Sequence, residues 1–299
     1  MGAADVVPGV SGGTIAMISG IYEELIDALA AMSPAALDLF RSGFRAFWVR
    51  IHGDFLLALV LGIGLSILSL SRLLLWLLAT QPILLWSFFF GLVLASAHLI
   101  GRRIGGWSWE KILALVLGAL VAYGISRSTP LALEPSPLFL FLGGSIAICA
   151  MILPGISGSF LLVLLGLYQT VLSAVSELRF SVLLLFGAGA FLGLLSFSRV
   201  LAWLLHRYHD CTVAALVGVM IGSLHRVWPW KQVLSWTLNH RGTRLPLLTQ
   251  NRWPWDYGTL PADQLLGSSP DPQLLPALGL AALGIVLIFL LERFSAARS

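Results

Sequence analysis

The sequence predicts an all-α polytopic membrane protein made of two inverted repeats, each a re-entrant, broken-helix hairpin plus three transmembrane helices. Three observations predict it. Charged residues make up 11% of the 299-residue chain and apolar ones 58%, about half the charge of soluble globular chains. Mean hydropathy is +0.91, and several apolar stretches approach the roughly 17–25 residues that cross a bilayer as a helix. A Pro-Gly-x-Ser-Gly interruption occurs twice, at Pro8-Gly9-Val10-Ser11-Gly12 and Pro154-Gly155-Ile156-Ser157-Gly158.

After the first interruption come apolar spans at 55–70, 83–100 and 112–125. An apolar arm at 138–153 leads into the second interruption, and spans follow at 182–205, 212–224 and 274–291. The shorter spans are extended by flanking residues or cross at a slant. Long apolar runs, rather than ten-residue alternation, argue against transmembrane strands. No basic stretch precedes the first apolar segment, so no cleavable signal peptide is expected. Cys149 and Cys211 fall in or beside apolar helices and fit small buried side chains better than a disulfide or metal role. The net charge of +4 fits basic cytoplasmic loops, and no basic-aromatic motif points to nucleic acid.

The interruption recurs with a shift of 146 residues, which also pairs Gly20 with Gly166 and Tyr22 with Tyr168. Downstream the shift is 127. It aligns Ser69-Leu70-Ser71-Arg72 with Ser196-Phe197-Ser198-Arg199, and Gly91, Ser96 and His98 with Gly218, Ser223 and His225. Matching Gly, Ser, Arg and His in order is far harder to obtain by chance than matching Leu, so the chain reads as a duplication. The whole of 1–299 is one transmembrane domain, with repeat one over 1–136, repeat two over 137–299 and an extra-membrane loop at about 231–272. If each interruption is the tip of a re-entrant hairpin, three spans separate the tips and the second repeat is inverted. If the interrupted segments span fully, the repeats are parallel.

Basic residues assign the sides. Arg41, Arg45, Arg50, Arg102, Arg103, Lys111, Arg207, Arg293 and Arg298 fall on one side, which should be cytoplasmic. The other side has Arg127, Arg179 and the long loop, whose Trp228, Trp230, Trp236, Trp253 and Trp255 are expected at the outer interface. The second hairpin has an apolar first arm, whereas only seven residues precede Pro8. The expectation is therefore a natural start upstream of Met1.

The interruptions are the candidate binding sites. Proline removes an N–H donor and pushes the preceding residue out of helical geometry. Ser11 is a good N-cap, so a half-helix should begin near Gly12, Gly13 and Thr14. Backbone N–H groups presented at membrane depth would attract an anion, a phosphate above all. Ser157, Gly158 and Ser159 repeat the pattern. The competing reading is a kink that serves helix packing alone.

Arg72 and Arg199 sit at equivalent places late in apolar segments, where an Arg at the helix centre costs about 2.5–3.5 kcal/mol. They are either contacts for an anionic ligand or chains that snorkel to the interface. Asp5 is the acid closest to an interruption, either a coupling site for protons or sodium or a residue reaching water. Glu23, Glu24 and Asp27 should lie near the interface. His206 and His209 form a loop pair with no acidic or Cys partner to make a zinc site. No metal ligand set, catalytic residue or cofactor is expected.

The segment Gly2-Ala3-Ala4-Asp5-Val6-Val7-Pro8-Gly9-Val10-Ser11-Gly12-Gly13-Thr14 with Gly20-Ile21-Tyr22 resembles the bacterial domain-of-unknown-function 368 family, the undecaprenyl-phosphate translocases of the PopT type. Leu153-Pro154-Gly155-Ile156-Ser157-Gly158-Ser159-Phe160 and Gly222-Ser223-Leu224-His225-Arg226-Val227-Trp228-Pro229-Trp230 fit as well. The absent amino-terminal arm and the long 231–272 loop depart from it. The resemblance implies return of undecaprenyl phosphate, the C55 lipid carrier of peptidoglycan synthesis, across the bacterial cytoplasmic (inner) membrane. Membrane lipids are the other implied partners. Carried over by position, the head-group candidates are Ser11, Gly12, Gly13, Thr14, Ser157, Gly158, Ser159, Arg72 and Arg199. Two rivals remain. One is an ion-coupled transporter of small anions. The other is a lipid-pyrophosphate phosphatase of the BacA type, which has a similar Pro-Gly-x-Ser motif but continues with Arg and needs clustered glutamates absent here.

Overall fold

The computed structural model describes residues 1–2, 11–32, 43–128, 136–238, 244–265 and 270–296. Two half-helices come first, α1 (Gly12–Ile18) and α2 (Tyr22–Ala31), then a short α3 (Phe44–Arg50). The spans α4 (Gly53–Thr80), α5 (Pro82–Arg102) and α6 (Trp109–Arg127) follow. The second half runs α7 (Pro137–Ile152), α8 (Gly158–Leu164), α9 (Tyr168–Ser176), α10 (Phe180–Arg207) and α11 (His209–Ser223), and ends with α13 (Leu274–Ala296). Each expected span is found as a helix, longer by several residues where polar flanks continue the turn.

Equivalent elements have matching geometry. Helices α1 and α8 are each 7 residues long, and Gly20 and Gly166, two residues beyond their ends, have φ of 74° and 69°. Helices α4 and α10 are each 28 residues long. Gln81 and Tyr208, which end them, have φ −134° with ψ 53° and 49°, and each turns the chain directly into the next span. At 1.5 Å per residue these helices reach about 42 Å, longer than a hydrocarbon core of about 30 Å, and so must tilt. Helices α8 and α9 bend by 110° at their joint.

Helix packing crosses between the halves in two pairs, α5 along α13 and α6 along α11, while α7 runs along α10 within the second half. Small residues set the approach. A Cβ at Gly91 would lie 2.0 Å from the carbonyl oxygen of Ala281 on α13, and one at Gly218 would lie 2.0 Å from that of Leu115 on α6. Backbones in such contact gain the dispersion energy that drives helix association in lipid. The core lies where Ala16, Tyr22 and Ile26 of the first hairpin meet Val93 and Ala97 of α5, Leu201 of α10, and Ala214 and Met220 of α11. Helix α5 is the central strut, with 72% of its apolar window buried, whereas α4 buries 6% and turns its leucines outward.

One stretch departs from the all-helical expectation. The 231–272 loop contains an antiparallel hairpin, β1 (Lys231–Leu238) and β2 (Arg244–Asn251), paired from Lys231↔Asn251 to Leu238↔Arg244 with an irregularity around Ser235. A single turn α12 (Pro254–Tyr257) follows. Trp228, Trp230 and Trp236 donate their indole N–H groups to the carbonyls of Arg252, Pro272 and Asp263 at 2.8, 2.8 and 2.9 Å. They tie the loop to itself, while Trp253 and Trp255 stack with ring centroids 5.1 Å apart and remain exposed.

Candidate functional site

The Pro-Gly of the first interruption, and Asp5, lie outside the described residues. Two residues after that Pro-Gly, Ser11 caps α1, its Oγ accepting the Gly13 N–H at 3.1 Å. The Ser11 hydroxyl also lies 3.1 Å from the Leu153 carbonyl oxygen and 3.3 Å from that of Met151. Tyr22 donates to the Ile152 carbonyl at 3.3 Å. These carbonyls belong to the last turn of α7 and its exit, where a helix leaves its C=O groups without internal partners. Hydroxyls from the first hairpin supply them.

The exchange runs the other way as well. Gly155, with φ +86° at the second tip, donates its N–H to Thr14 Oγ1 at 2.9 Å. Thr14 is 0% exposed and Ser11 1%. Gly13 permits the contact, since a Cβ there would lie 2.5 Å from the Ile152 carbonyl oxygen. The two tips are thus packed on each other, which corrects the expectation of bare amides facing a vestibule. A half-helix end in an apolar interior must satisfy its backbone, and here the other copy of the motif does so. Ser157 starts α8, its Oγ 2.9 Å from Ser159 Oγ, with Ser157 buried and Ser159 exposed.

The two predicted arginines are not brought to the tips. Arg72 is exposed on α4, with no hydrogen bond or ion pair to a described residue. Arg199 is exposed on α10, and its Nη2 donates to the Met32 carbonyl at 3.2 Å.

A group that the sequence did not mark as a binding site lies beside α8. A cavity of about 400 Å³ is lined by Phe160, Val163 and Leu164 of α8, by Ser126 and Arg127 at the end of α6, by His225 and Arg226, and by the β-hairpin from Leu248 to Asn251. The Arg226 guanidinium carbon stands 4.0 Å from the centroid of the Phe160 ring. Lys231, 3% exposed, points its ammonium at the Trp86 ring, 4.2 Å from the centroid, and donates to the Arg226 carbonyl. Burial pulls the Arg226 pKa down to about 10. Burial, with the nearby Arg226 charge, holds Lys231 well below its ordinary range. The available signal was His225-Arg226 directly after an apolar helix, but in sequence that looks like an ordinary cationic helix end.

The opposite end of α11 corrects another reading. His209 meets Glu23 at 3.0 Å and Asp210 at 3.2 Å, His206 meets Asp27 at 3.7 Å, and Lys111 donates to Asp210 at 2.6 Å. These histidines lie in helix ends, not a loop, His206 in the last turn of α10 and His209 at the start of α11. They have acidic partners after all, Glu23 and Asp27 being supplied by α2 from far away in sequence. Among the described residues no group of three or more His, Cys, Asp or Glu could hold a metal ion.

Among the described residues, five helices long and apolar enough to cross a membrane, or six with the bent pair α8–α9, define a multi-pass membrane protein. Residues 1–245 match a family model described as VCA0040-like, undecaprenyl phosphate translocase-like, and the chain belongs to that family. It is 46% identical over 296 residues to a polyprenyl-phosphate transporter of Vibrio cholerae serotype O1, covering 99% of this chain and 94% of that relative. It is 32% identical over 247 residues to a polyprenyl-phosphate transporter of Staphylococcus aureus, covering 77% and 83% of the two chains. No solved structure matches.

Proposed function

We propose that this chain translocates undecaprenyl phosphate across the bacterial cytoplasmic membrane, returning the carrier from the outer to the inner leaflet, as a transporter and not an enzyme. One observation carries the mechanism: two chain interruptions meet inside the protein, where side chains of the first satisfy the backbone of the second, having arrived from opposite ends of α11. The first hairpin reaches His209 at the start of α11 through Glu23, and the second reaches Arg226, just past its end, through Phe160. That arrangement supports two inverted repeats, 1–136 and 137–299, closing on one another near the bilayer midplane.

The described arrangement is the closed one. Three cross-tip hydrogen bonds hold it, from Ser11, Tyr22 and Gly155. At about 0.5–1.5 kcal/mol each they total a few kcal/mol, an amount that differential binding of a ligand offsets. On opening, the Gly155 N–H and the turns at Ser11, Gly12, Gly13, Thr14, Ser157, Gly158 and Ser159 become available to a phosphate. Arg72 and Arg199 occupy equivalent outward-facing places on α4 and α10, and in this reading they contact the head group from the lipid side. Asp5 is the proposed coupling residue, for protons or sodium.

Reconstitution tests the proposal. Liposomes holding the protein and labelled undecaprenyl phosphate should accumulate a protected inner-leaflet pool, with no release of inorganic phosphate. A pool that fails to grow beyond protein-free liposomes sinks translocation, and phosphate release from a pyrophosphate lipid would favour the phosphatase.

A further inference from the structure

Arg226 and Lys231 present an unbalanced charge. The Arg226 side chain makes no hydrogen bond or ion pair with a described residue, and its Nε is buried without a partner. Lys231 has a carbonyl and an aromatic face for company and no carboxylate among the described residues. The Trp86 indole N–H beneath it is likewise buried and unpartnered. No Asp or Glu lines the cavity. Buried cations are normally paired, because an isolated charge loses its hydration for nothing in return. The missing partner is an anion.

We propose that this cavity is a binding site for a phosphomonoester dianion carried on a lipid, held by the guanidinium groups of Arg226 and Arg127 with the Lys231 side chain behind them. A phosphate monoester brings close to two charges and three acceptor oxygens, which match forked guanidinium donors better than a single ammonium. His225 adds a neutral donor. The Asn251 amide nitrogen, which can only donate, lies 3.1 Å from His225 Nδ1, so Nδ1 accepts and Nε2 carries the proton. Burial, then the charges of Lys231, Arg127 and Arg226, keep this imidazole below its usual range and therefore uncharged.

The remaining lining fits the first carbons of an ester. Phe160, Val163 and Leu164 form an apolar wall on the re-entrant half-helix itself, and the β-hairpin forms the facing side. The volume lies within the range of small-molecule pockets and exceeds the need of a bare phosphate. Arg127 and the 231–272 loop fall on the side that the charge distribution assigns to the outside, so the site would receive the head group before the tips part. This deepens the proposed translocation and depends on it only for the identity of the lipid.

The test uses the full chain in detergent, titrated with farnesyl phosphate, farnesol and inorganic phosphate. Farnesyl phosphate should bind, farnesol should not, and inorganic phosphate should compete at higher concentration. Arg226→Gln should weaken farnesyl phosphate binding about tenfold or more. Arg127→Gln, at an exposed position where folding is not at stake, should weaken it severalfold. Wild-type affinity in both variants overturns the site, and binding of inorganic phosphate without farnesyl phosphate overturns the lipid assignment. The two proposals fail separately. Undiminished flux in Arg226→Gln liposomes sinks the site and leaves translocation standing. Arg226-dependent binding by a protein that moves no lipid supports the site and sinks translocation.

Discussion

Replacing Thr14 by Val isolates the contact between the two interruptions. The side chain keeps its shape but loses the oxygen that accepts the Gly155 N–H at 2.9 Å, at a position that is 0% exposed. No water reaches the orphaned amide while the tips are closed, so the cost is that of a buried unsatisfied donor, about 1–3 kcal/mol. Thr14→Ser retains the oxygen and loses one methyl group, a cost nearer 1 kcal/mol. Hydrogen exchange followed by mass spectrometry over residues 153–160 reads the contact directly. Protection of the Gly155 amide should drop roughly 5- to 150-fold in the Val variant, the exponential of that energy, and only slightly in the Ser variant. The apparent melting temperature in detergent should fall by roughly 2–6 °C. Equal protection in wild type and Thr14→Val would refute the claim that one interruption satisfies the backbone of the other.

Other outcomes rest on the same geometry. Lys231→Met removes a buried amine that has no carboxylate partner among the described residues, so it should raise thermal stability by about 1 kcal/mol while weakening farnesyl phosphate binding, both measurable on one preparation. His225 has a folded pKa below its unfolded value of about 6.5, so the stability it contributes is complete above that pH and is lost as pH falls through the folded value. Melts between about pH 7 and 5 should show this loss, and His225→Gln should flatten it. Gly91→Val and Gly218→Val each drive a side chain into a backbone carbonyl at 2.0 Å, and should cost about 3 kcal/mol or more. Gel filtration in detergent would then show aggregated protein for both. Arg72→Gln and Arg199→Gln alter exposed side chains, so melts should match wild type while inward lipid flux drops, and normal flux in both would remove them from the mechanism.

What the sequence by itself determined is local or periodic. Apolar run length set the spans, because a helix that hides its backbone in lipid needs only its own residues. The Pro-Gly-x-Ser-Gly motif located the interruptions, and Ser11 was legible as the cap of α1 because its bond to Gly13 spans two residues. Matched Gly, Ser and Arg positions led to the expectation of a duplication. The β-hairpin was not legible: its pairing across residues 231–251 is irregular around Ser235, and its Trp236 and the preceding Trp230 bond to carbonyls 27 and 42 residues away. Only the tertiary structure decided which chain ends meet. It set Thr14 against Gly155, 141 residues on, so amides that look bare in sequence are satisfied. It supplied His209 with Glu23 from 186 residues away. It also set a half-buried Arg226 and a buried Lys231 together beside α8, with no carboxylate among the cavity's lining residues. A residue's charge is written in its side chain, but whether that charge is solvated, paired or waiting for a ligand depends on distant segments arriving beside it.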